Sequence, residues 1–232
     1  MGKKKIQRFA EIKTYRHVIE VEALNVLNKD YELKGKWQEN FFGNSGDIVL
    51  EIGCGKGEYT LGQARMFPEK NFIGIDRKGA RIWRGARTIH EEEIKNAAFL
   101  RTNVGLITSY FAPNEVAEIW ITFPDPQPKK AVRRLTAPRF LQRYAQFLKF
   151  DGTINLKTDS LELHEFTKEL VKINNLEILE CTDNLYANEN ISPVLNIKTT
   201  YENMFLKEGK PITYLKFRLN GTKDYKAPES KY

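Results

Sequence analysis

The chain has 232 residues, of which 41% are hydrophobic and 12% aromatic, so it can bury a sizeable core and is not an intrinsically disordered chain. Its 37 Lys and Arg outnumber 30 Asp and Glu, and the formal net charge of +7 fits a polyanionic partner but also many proteins without one. The two cysteines provide neither a disulfide framework nor a zinc spacing, and the three histidines lie far apart in the sequence, so we expect no metal.

The hydropathy pattern predicts where the protein works. The basic N-terminal segment is not followed by an apolar stretch, as it would be in a secretion signal. No apolar run approaches the ~18 residues that a membrane-spanning helix needs. We therefore expect a cytoplasmic protein with no membrane partner.

Residues 1–45 are predicted to form an N-terminal extension that is partly helical or flexible. Apolar side chains recur at roughly helical spacing from Phe9 to Leu27, which predicts a helix there. The segment "GNSGD" then indicates a turn, and a regular alternation of elements begins after it.

From residue 46 to residue 220, short apolar runs alternate with helical stretches. Near-continuous apolar strands between helices predict one α/β domain, a mostly parallel twisted sheet with helices on both faces. The predicted strands are Asp47–Gly53, Asn71–Asp76, Ala97–Val104, Ala117–Phe123 and Gly152–Thr158. The predicted helices are Gly57–Phe67, Lys78–Ile94, the short Gly105–Phe111, Thr136–Phe150 and Ser160–Asn174.

The end of the chain departs from this alternation. Leu176–Ala187 and Thr199–Leu219 read as strands without a long helix between them, so we predict that the last strand of the sheet is antiparallel. Residues 221–232 are predicted to be a polar C-terminal tail.

The loop "LEIGCGKGEYT" joins the first strand of the domain to the first helix, and ligands of such sheets bind at the carboxyl ends of strands. Gly53, Gly55 and Gly57 permit a tight turn and let a ligand approach bare backbone. The spacing is GxGxG rather than the GxGxxG of dinucleotide folds, and Glu51 would repel a pyrophosphate but attract a cation. Asp76 ends the second strand, where an acid hydrogen-bonds ribose hydroxyls.

S-adenosylmethionine suits these residues, since it carries a sulfonium and an ammonium but no phosphate. A nicotinamide cofactor and a turn without any ligand are the competing interpretations. Asn103 lies in "RTNV" at the end of the third strand, where backbone and amide groups are available to an adenine.

The fourth strand runs into "FPDPQPKKAVRRL", in which prolines surround Asp125. Because proline fixes φ, this segment holds a carboxylate in a defined position at the strand end. The competing interpretation is a stiff loop with an incidental aspartate. Four cations follow, and they either contact a polyanionic partner or solvate the start of the next helix. They are Lys129, Lys130, Arg133 and Arg134.

In this order, "LEIGCGKGEYT", "FIGIDRKGARI", "TFPDPQPKKAVRRL", "LKTDS" and "TTYENMFLKEGKPITYLKF" resemble the bacterial tRNA (guanine-N7-)-methyltransferase family. The resemblance covers about Gly46–Leu219 and implies the class I methyltransferase (Rossmann-like) fold. It also implies transfer of a methyl group from S-adenosyl-L-methionine to N7 of the variable-loop guanine of tRNA.

The resemblance implies a role for each matching residue. S-adenosylmethionine would be bound by Glu51, Asp76, Asn103 and Asp125, with Gly53 and Gly55 of the loop, and Asp125 would also be catalytic. The substrate guanosine would be bound by Lys129, Asp159, Thr199, Thr200, Tyr201 and Glu202. Ala131–Thr136 corresponds to a segment that touches RNA, and the predicted RNA contacts are Lys130, Arg133 and Arg134.

The sequence departs from the family pattern in three places. Gln127 stands where the family usually has Trp, which removes a stacking group. The basic segment "KKAVRRL" is shorter than usual, with fewer cations and no histidine. Cys54 replaces a more typical aromatic residue, without an expected chemical consequence. RNA affinity and substrate range are therefore left open.

Some of these residues also have purely structural interpretations. Thr136 is a predicted helix N-cap with Pro138 in the first turn. Asp159 is placed to cap the helix that follows it. Tyr201 and Phe205, without the resemblance, read as ordinary strand residues.

Two other functions stay open. A methyltransferase for another RNA, a protein or a small molecule would share Glu51 and Asp76 but would have no use for the cations that follow Asp125. A nucleic-acid-binding module with a vestigial cofactor fold would have no need of these three intact carboxylates. The sequence is compatible with a monomer or a homodimer.

Overall fold

The computed structural model describes residues 3–187, 190–219, 221 and 224–229. The predicted C-terminal tail lies partly outside this range, at residues 222, 223 and 230–232, as do the last residue of the predicted domain and the first two residues of the chain. The chain forms two compact units, Met1–Ala112 and Pro113–Tyr232, which are the first and second unit below.

The first unit contains four parallel strands in the order β1-β4-β3-β2. Every residue of β2 and β3 is buried, as expected for strands that are covered on both faces. Ile52 pairs with Ile75, and Asp76 pairs with Arg101, so the carboxyl ends of three neighbouring strands lie together. The strands are β1 (Val18–Glu20), β2 (Ile48–Ile52), β3 (Asn71–Asp76) and β4 (Ala97–Arg101).

The prediction of a helix from Phe9 to Leu27 is wrong. The first helix ends at Ile12, and the chain then extends to form β1, in which Ile19 pairs with Leu100 of β4. Burial against a sheet edge overrides the helical spacing, although Ile12, Tyr15, Ile19 and Val26 are buried all the same. The helices of this unit are α1 (Lys3–Ile12), α2 (Ala23–Val26), α3 (Glu58–Met66) and α4 (Gly79–Glu92), with a π-helix at Trp37–Phe42 and a 3₁₀-helix at Val104–Ser109.

The second unit contains four strands in the order β5-β6-β8-β7. β5 and β6 are parallel, whereas β8 is antiparallel to both of its neighbours. The predicted fold class, a mostly parallel α/β sheet with an antiparallel last strand, is confirmed. The strands are β5 (Val116–Thr122), β6 (Leu148–Thr158), β7 (Ile178–Thr182) and β8 (Thr213–Arg218).

The segment from Thr199 to Leu219 is only partly a strand. Its first half, including Tyr201 and Phe205, forms a helix, and β8 follows. The Thr199 hydroxyl accepts a hydrogen bond from the Glu202 amide at 3.1 Å, so threonine acts as the N-cap here. The helices of this unit are α5 (Pro138–Tyr144), α6 (Leu161–Ile173) and α7 (Thr200–Lys207), with 3₁₀ turns at Ala131–Arg133 and Leu185–Ala187.

Two predicted helix caps are displaced by one residue. Ala137 is the N-cap of α5, with Pro138 in the first turn as predicted, while the Thr136 hydroxyl is buried against Thr167 at 2.8 Å. Ser160 rather than Asp159 caps α6. Within the described ranges, no helix combines the length and apolar character that crossing a bilayer requires.

Candidate active site

The glycine loop after β2 is built from left-handed backbone. Gly53, Gly55 and Gly57 have φ values of 83°, 57° and 74°, which lie in a region that residues other than glycine rarely adopt. A Cβ on Gly57 would overlap the Phe99 ring, so packing also requires glycine there. A Cβ on Gly55 would meet no atom nearer than 4.0 Å, which leaves open space beside bare backbone.

Asp76 hydrogen-bonds both the glycine loop and the segment that follows β3. One carboxylate oxygen accepts a hydrogen bond from the Gly55 amide at 3.0 Å, and the other accepts one from the Lys78 amide at 2.8 Å. Asp76 is 8% exposed, so it is largely buried at the end of β3. Each oxygen retains a second lone pair for a ligand hydroxyl.

Glu51 is buried at the end of β2 and faces the start of α3. One of its oxygens accepts hydrogen bonds from the Thr60 amide at 2.8 Å and from the Thr60 hydroxyl. The third residue of a helix has an unsatisfied amide, so this carboxylate acts as a cap supplied from a distance in sequence. Glu51 thus holds the glycine loop between β2 and α3, in addition to any ligand contact.

Asn103 follows β4 and is exposed. Its side-chain oxygen accepts a hydrogen bond from the Gly105 amide at 2.9 Å and caps the 3₁₀-helix. Because β4, β3 and β2 are adjacent, Asn103 lies at the same sheet edge as Asp76 and Glu51. The first unit therefore places Glu51, Asp76 and Asn103 at the carboxyl ends of three adjacent strands.

Cys54 lies within the glycine loop and is buried. Burial raises the pKa of its thiol well above the ordinary value, and the charges of Glu51 and Asp76 raise it further. The thiol stays protonated at neutral pH and is a poor nucleophile.

Asp125 lies in an exposed turn of the second unit, directly after β5. Its Oδ1 accepts a hydrogen bond from the Gln127 amide at 3.1 Å. Phe123 and Gln127 flank it, each with φ of 47°, a strained value for a residue other than glycine. The Phe123 amide is anchored on the Lys157 carbonyl of β6 at 2.8 Å. Asp125 is presented to solvent by a constrained backbone.

The cations after Asp125 do not share one environment. Lys129, Lys130 and Arg133 are exposed, as expected for residues that contact RNA. Arg134, which was predicted with them, is 0% exposed. Its guanidinium donates to the Pro126 carbonyl at 2.9 Å and forms an ion pair with Glu162 of α6. Arg134 is therefore not a surface cation, because its charge is paired inside the unit.

Asp159 follows β6 and is partly buried. Burial raises the pKa of its carboxyl, while the Lys210 ammonium, 4.0 Å away, acts in the opposite direction. The carboxylate is thus neither fully solvated nor tightly paired, and it remains accessible to a substrate.

The predicted substrate motif at the start of α7 divides into buried and exposed residues. Thr200 and Tyr201 are exposed, whereas Glu202 is fully buried. The Glu202 carboxylate pairs with the Lys157 ammonium at 2.7 Å and accepts a hydrogen bond from the Tyr186 hydroxyl at 2.6 Å.

Lys157 was missed by the sequence-based reasoning, although it begins the "KTD" segment that contains Asp159. Its ammonium also donates to the Leu195 carbonyl at 2.6 Å and to the Ile197 carbonyl at 3.2 Å. Burial lowers the pKa of Lys157, and the Glu202 carboxylate opposes this shift. The signal available in the sequence was a lysine at the end of a strand that is predicted to be covered on both faces, where a charge requires a partner.

A group of three potential metal ligands lies on α6, on β7 and directly after β7, and none of the three is a predicted site residue. The donor atoms of His164, Cys181 and Asp183 lie within 4.8 Å of one another. His164 Nε2 lies 3.0 Å from Asp183, and the Lys168 ammonium lies 3.7 Å from the same carboxylate oxygen. A divalent cation would be repelled by this ammonium, so the geometry favours an imidazole–carboxylate hydrogen bond.

Comparisons with known proteins agree with this fold. The 16S rRNA methyltransferase KamB superposes with a TM-score of 0.62 at 12% identity, covering 82% of this chain and 94% of that one. A 16S rRNA (adenine(1408)-N(1))-methyltransferase from Catenulisporales acidiphilia, solved with its cosubstrate SAM, superposes with a TM-score of 0.54 at 12% identity and covers 81% and 92%. The fold is that of the class I methyltransferases.

Sequence comparison defines the family more narrowly. A model described as a putative methyltransferase matches residues 45–215. A tRNA (guanine-N(7)-)-methyltransferase of Bacteroides thetaiotaomicron is 50% identical over 219 residues, 94% of this chain and 87% of that one. One of Christiangramia forsetii is 52% identical over 222 residues, 94% and 99% respectively. The chain belongs to the tRNA (guanine-N(7)-)-methyltransferase family, and the resemblance read from its motifs is confirmed.

Proposed function

We propose that the protein transfers a methyl group from S-adenosylmethionine to N7 of the variable-loop guanine of tRNA. The observation that carries this proposal is that about half of the aligned residues, along nearly the full chain, are identical to those of relatives named tRNA (guanine-N(7)-)-methyltransferase. The domain proposed to catalyse it spans residues 46–220, and we propose that it works in the cytoplasm.

The first unit offers the groups that a methyl donor requires. Bare backbone at Gly55 borders open space, and the Asp76 carboxylate beside it has lone pairs for ribose hydroxyls. Glu51 adds negative charge near a bound cation, and Asn103 offers an amide at the neighbouring strand end. S-adenosylmethionine supplies the electrophilic methyl group on a sulfonium, so two carboxylates at this edge favour its charge.

Asp125 is the proposed catalytic residue. N7 of guanine has an in-plane lone pair and is unprotonated at neutral pH, so no general base is needed to create the nucleophile. The carboxylate acts instead through position and charge, by accepting a hydrogen bond from the guanine or the donor ammonium and by favouring a cationic reacting assembly. The constrained backbone on both sides of Asp125 fixes it before the reaction.

The substrate residues are proposed to act on the guanosine and the RNA backbone. Lys129 and Asp159 would hold the guanosine, with Thr200 and Tyr201 exposed at the start of α7. Lys130 and Arg133 would contact phosphates. Thr199 and Glu202 are engaged in capping and in a buried ion pair, so we propose that they support this surface rather than touch the base.

A product analysis tests the proposal. An unmodified tRNA transcript is incubated with labelled S-adenosylmethionine, digested and analysed for 7-methylguanosine. A transcript with 7-deazaguanosine in the variable loop lacks the acceptor nitrogen and should receive no label. Methylation of that transcript, or of a 16S rRNA fragment in preference to tRNA, would contradict the proposal.

Replacing Asp76 tests the cofactor assignment. Asp76→Ala removes the acceptor for ribose hydroxyls and releases the Gly55 amide, so S-adenosylmethionine affinity should fall by about 1–3 kcal/mol. Isothermal titration calorimetry measures this loss, with Glu69→Ala, an exposed acid in the same unit, as the control. An unchanged affinity in the Asp76 variant would remove the ribose-binding role.

The exposed cations should govern RNA binding. Replacing Lys129, Lys130 and Arg133 with alanine should raise the KM for tRNA and leave S-adenosylmethionine affinity unchanged. Each lost phosphate contact should lower the slope of log K against log salt concentration by roughly 0.7–0.9. Filter binding over a salt series measures the slope. The same slope in wild type and variant would show that these cations only solvate the turn.

A further inference from the structure

Arg134 is unusual within the basic segment because its guanidinium is buried. The preceding residues Val132 and Arg133 are exposed, whereas Arg134 is 0% exposed. Burying an unpaired guanidinium is energetically unfavourable, so a buried arginine is retained where its partners compensate. The partners of Arg134 therefore indicate what it does.

These partners connect the catalytic turn to a helix. Nε donates to the carbonyl of Pro126, the residue directly after Asp125, at 2.9 Å. Nη2 donates to the Glu162 carboxylate in the first turn of α6. The guanidinium carbon lies 4.5 Å from the centre of the Phe166 ring, one turn further along the helix. One planar group thus joins the turn, a carboxylate and an aromatic face.

The turn that carries Asp125 needs such support. Phe123 and Gln127 both have φ of 47°, and strain of this kind persists only where neighbouring contacts hold it. The Phe123 amide is held by β6 through the Lys157 carbonyl. Arg134 holds the turn beyond Asp125, at Pro126.

We infer that Arg134 is a positioning residue for methyl transfer, which fixes the Asp125 carboxylate through the Pro126 carbonyl, and not an RNA-binding cation. This inference rests on the proposed function. Lysine cannot replace it, because an ammonium is a point charge without the planar fork that reaches both the carbonyl and the carboxylate.

Kinetics of adjacent arginines separate the two roles. Arg134→Lys should lower the single-turnover rate at saturating tRNA and S-adenosylmethionine by about tenfold to a hundredfold, since a small displacement of a catalytic group has this effect. The KM for tRNA should change little. Arg133→Ala should raise the KM for tRNA instead. Arg139→Lys, an exposed arginine of α5, is the control without an expected effect.

A second variant covers the case in which Arg134→Lys does not fold. Glu162→Gln keeps Arg134 and removes the charge of its partner, whose side chain is 40% exposed. It should lower the same rate to a smaller extent and leave S-adenosylmethionine affinity unchanged. A higher KM for tRNA with an unchanged rate, in either variant, would overturn the inference.

Hydrogen–deuterium exchange tests the inference without catalysis. Arg134→Lys should increase exchange in residues 123–130, whereas Arg133→Ala should not. Absence of 7-methylguanosine with wild-type protein would contradict the proposed function alone. Unchanged exchange in the turn of the Arg134 variant would contradict the positioning role alone.

Discussion

Asp125→Ala should lower the rate of methyl transfer by about a hundredfold or more. This is the scale of losing one pre-organised electrostatic contact to the reacting groups. The exposed side chain makes one hydrogen bond within its own turn, to the Gln127 amide, so its removal should leave the protein folded. Single-turnover rates with both substrates saturating measure the effect. Asp151→Ala, an exposed aspartate of β6 in the same unit, is the matched control.

Asp125→Asn separates charge from hydrogen bonding. Asparagine keeps an acceptor oxygen and can still accept the hydrogen bond from the Gln127 amide. It carries no charge, however, and cannot stabilise the positive charge that passes from the sulfonium to the purine. We expect the Asn variant to remain strongly impaired, since the charge term is larger once the bound substrates shield the exposed turn from water. Near-wild-type transfer by the Ala variant would mean that "FPDP" is only a stiff loop. Full activity of the Asp125→Asn variant, with an impaired Asp125→Ala variant, would show that Asp125 acts through its hydrogen bond rather than through its charge.

Most of the parallel strands were predictable because the apolar run that indicates each of them is local in the sequence. Asn71–Asp76 is bounded as predicted, since a continuous apolar run between turn residues has few alternatives to a buried strand. The position of Asp76 at the end of this strand was predicted from the same strand boundary. In contrast, β1 has three residues, and its pairing with β4 depends on contacts about eighty residues away in sequence. No short window of sequence contains that information.

The same distinction applies to the charged residues. Lys129 and Arg133 are exposed, as a polar turn predicts. Nothing in the sequence distinguishes Arg134 or Glu202 as buried residues within their motifs. Arg134 is nevertheless buried against Glu162, and Glu202 against Lys157, partners that are distant in sequence. Burial of a charge depends on the partner, so a motif can name the residue without indicating which way its side chain faces.

The buried Lys157–Glu202 pair gives the largest expected effect on stability. Both side chains are 0% exposed, and the ammonium lies 2.7 Å from the carboxylate. Glu202→Gln keeps the shape of the side chain but leaves the Lys157 charge buried without its counterion. Removing one partner of such a pair typically costs about 3–5 kcal/mol. We therefore expect a marked fall in the urea midpoint of unfolding.

A double-mutant cycle shows whether the pair itself is responsible. Lys157→Met alone should also destabilise, because it leaves the Glu202 carboxylate with the Tyr186 hydroxyl as its remaining side-chain hydrogen bond among the described residues. Lys157→Met with Glu202→Gln removes both charges and should be more stable than the sum of the single losses predicts. Glu177→Gln, which breaks the exposed pair with Arg218, should change the midpoint little. If Glu202→Gln keeps wild-type stability yet loses activity, Glu202 contacts the substrate directly, and its role as a buried support for α7 is wrong.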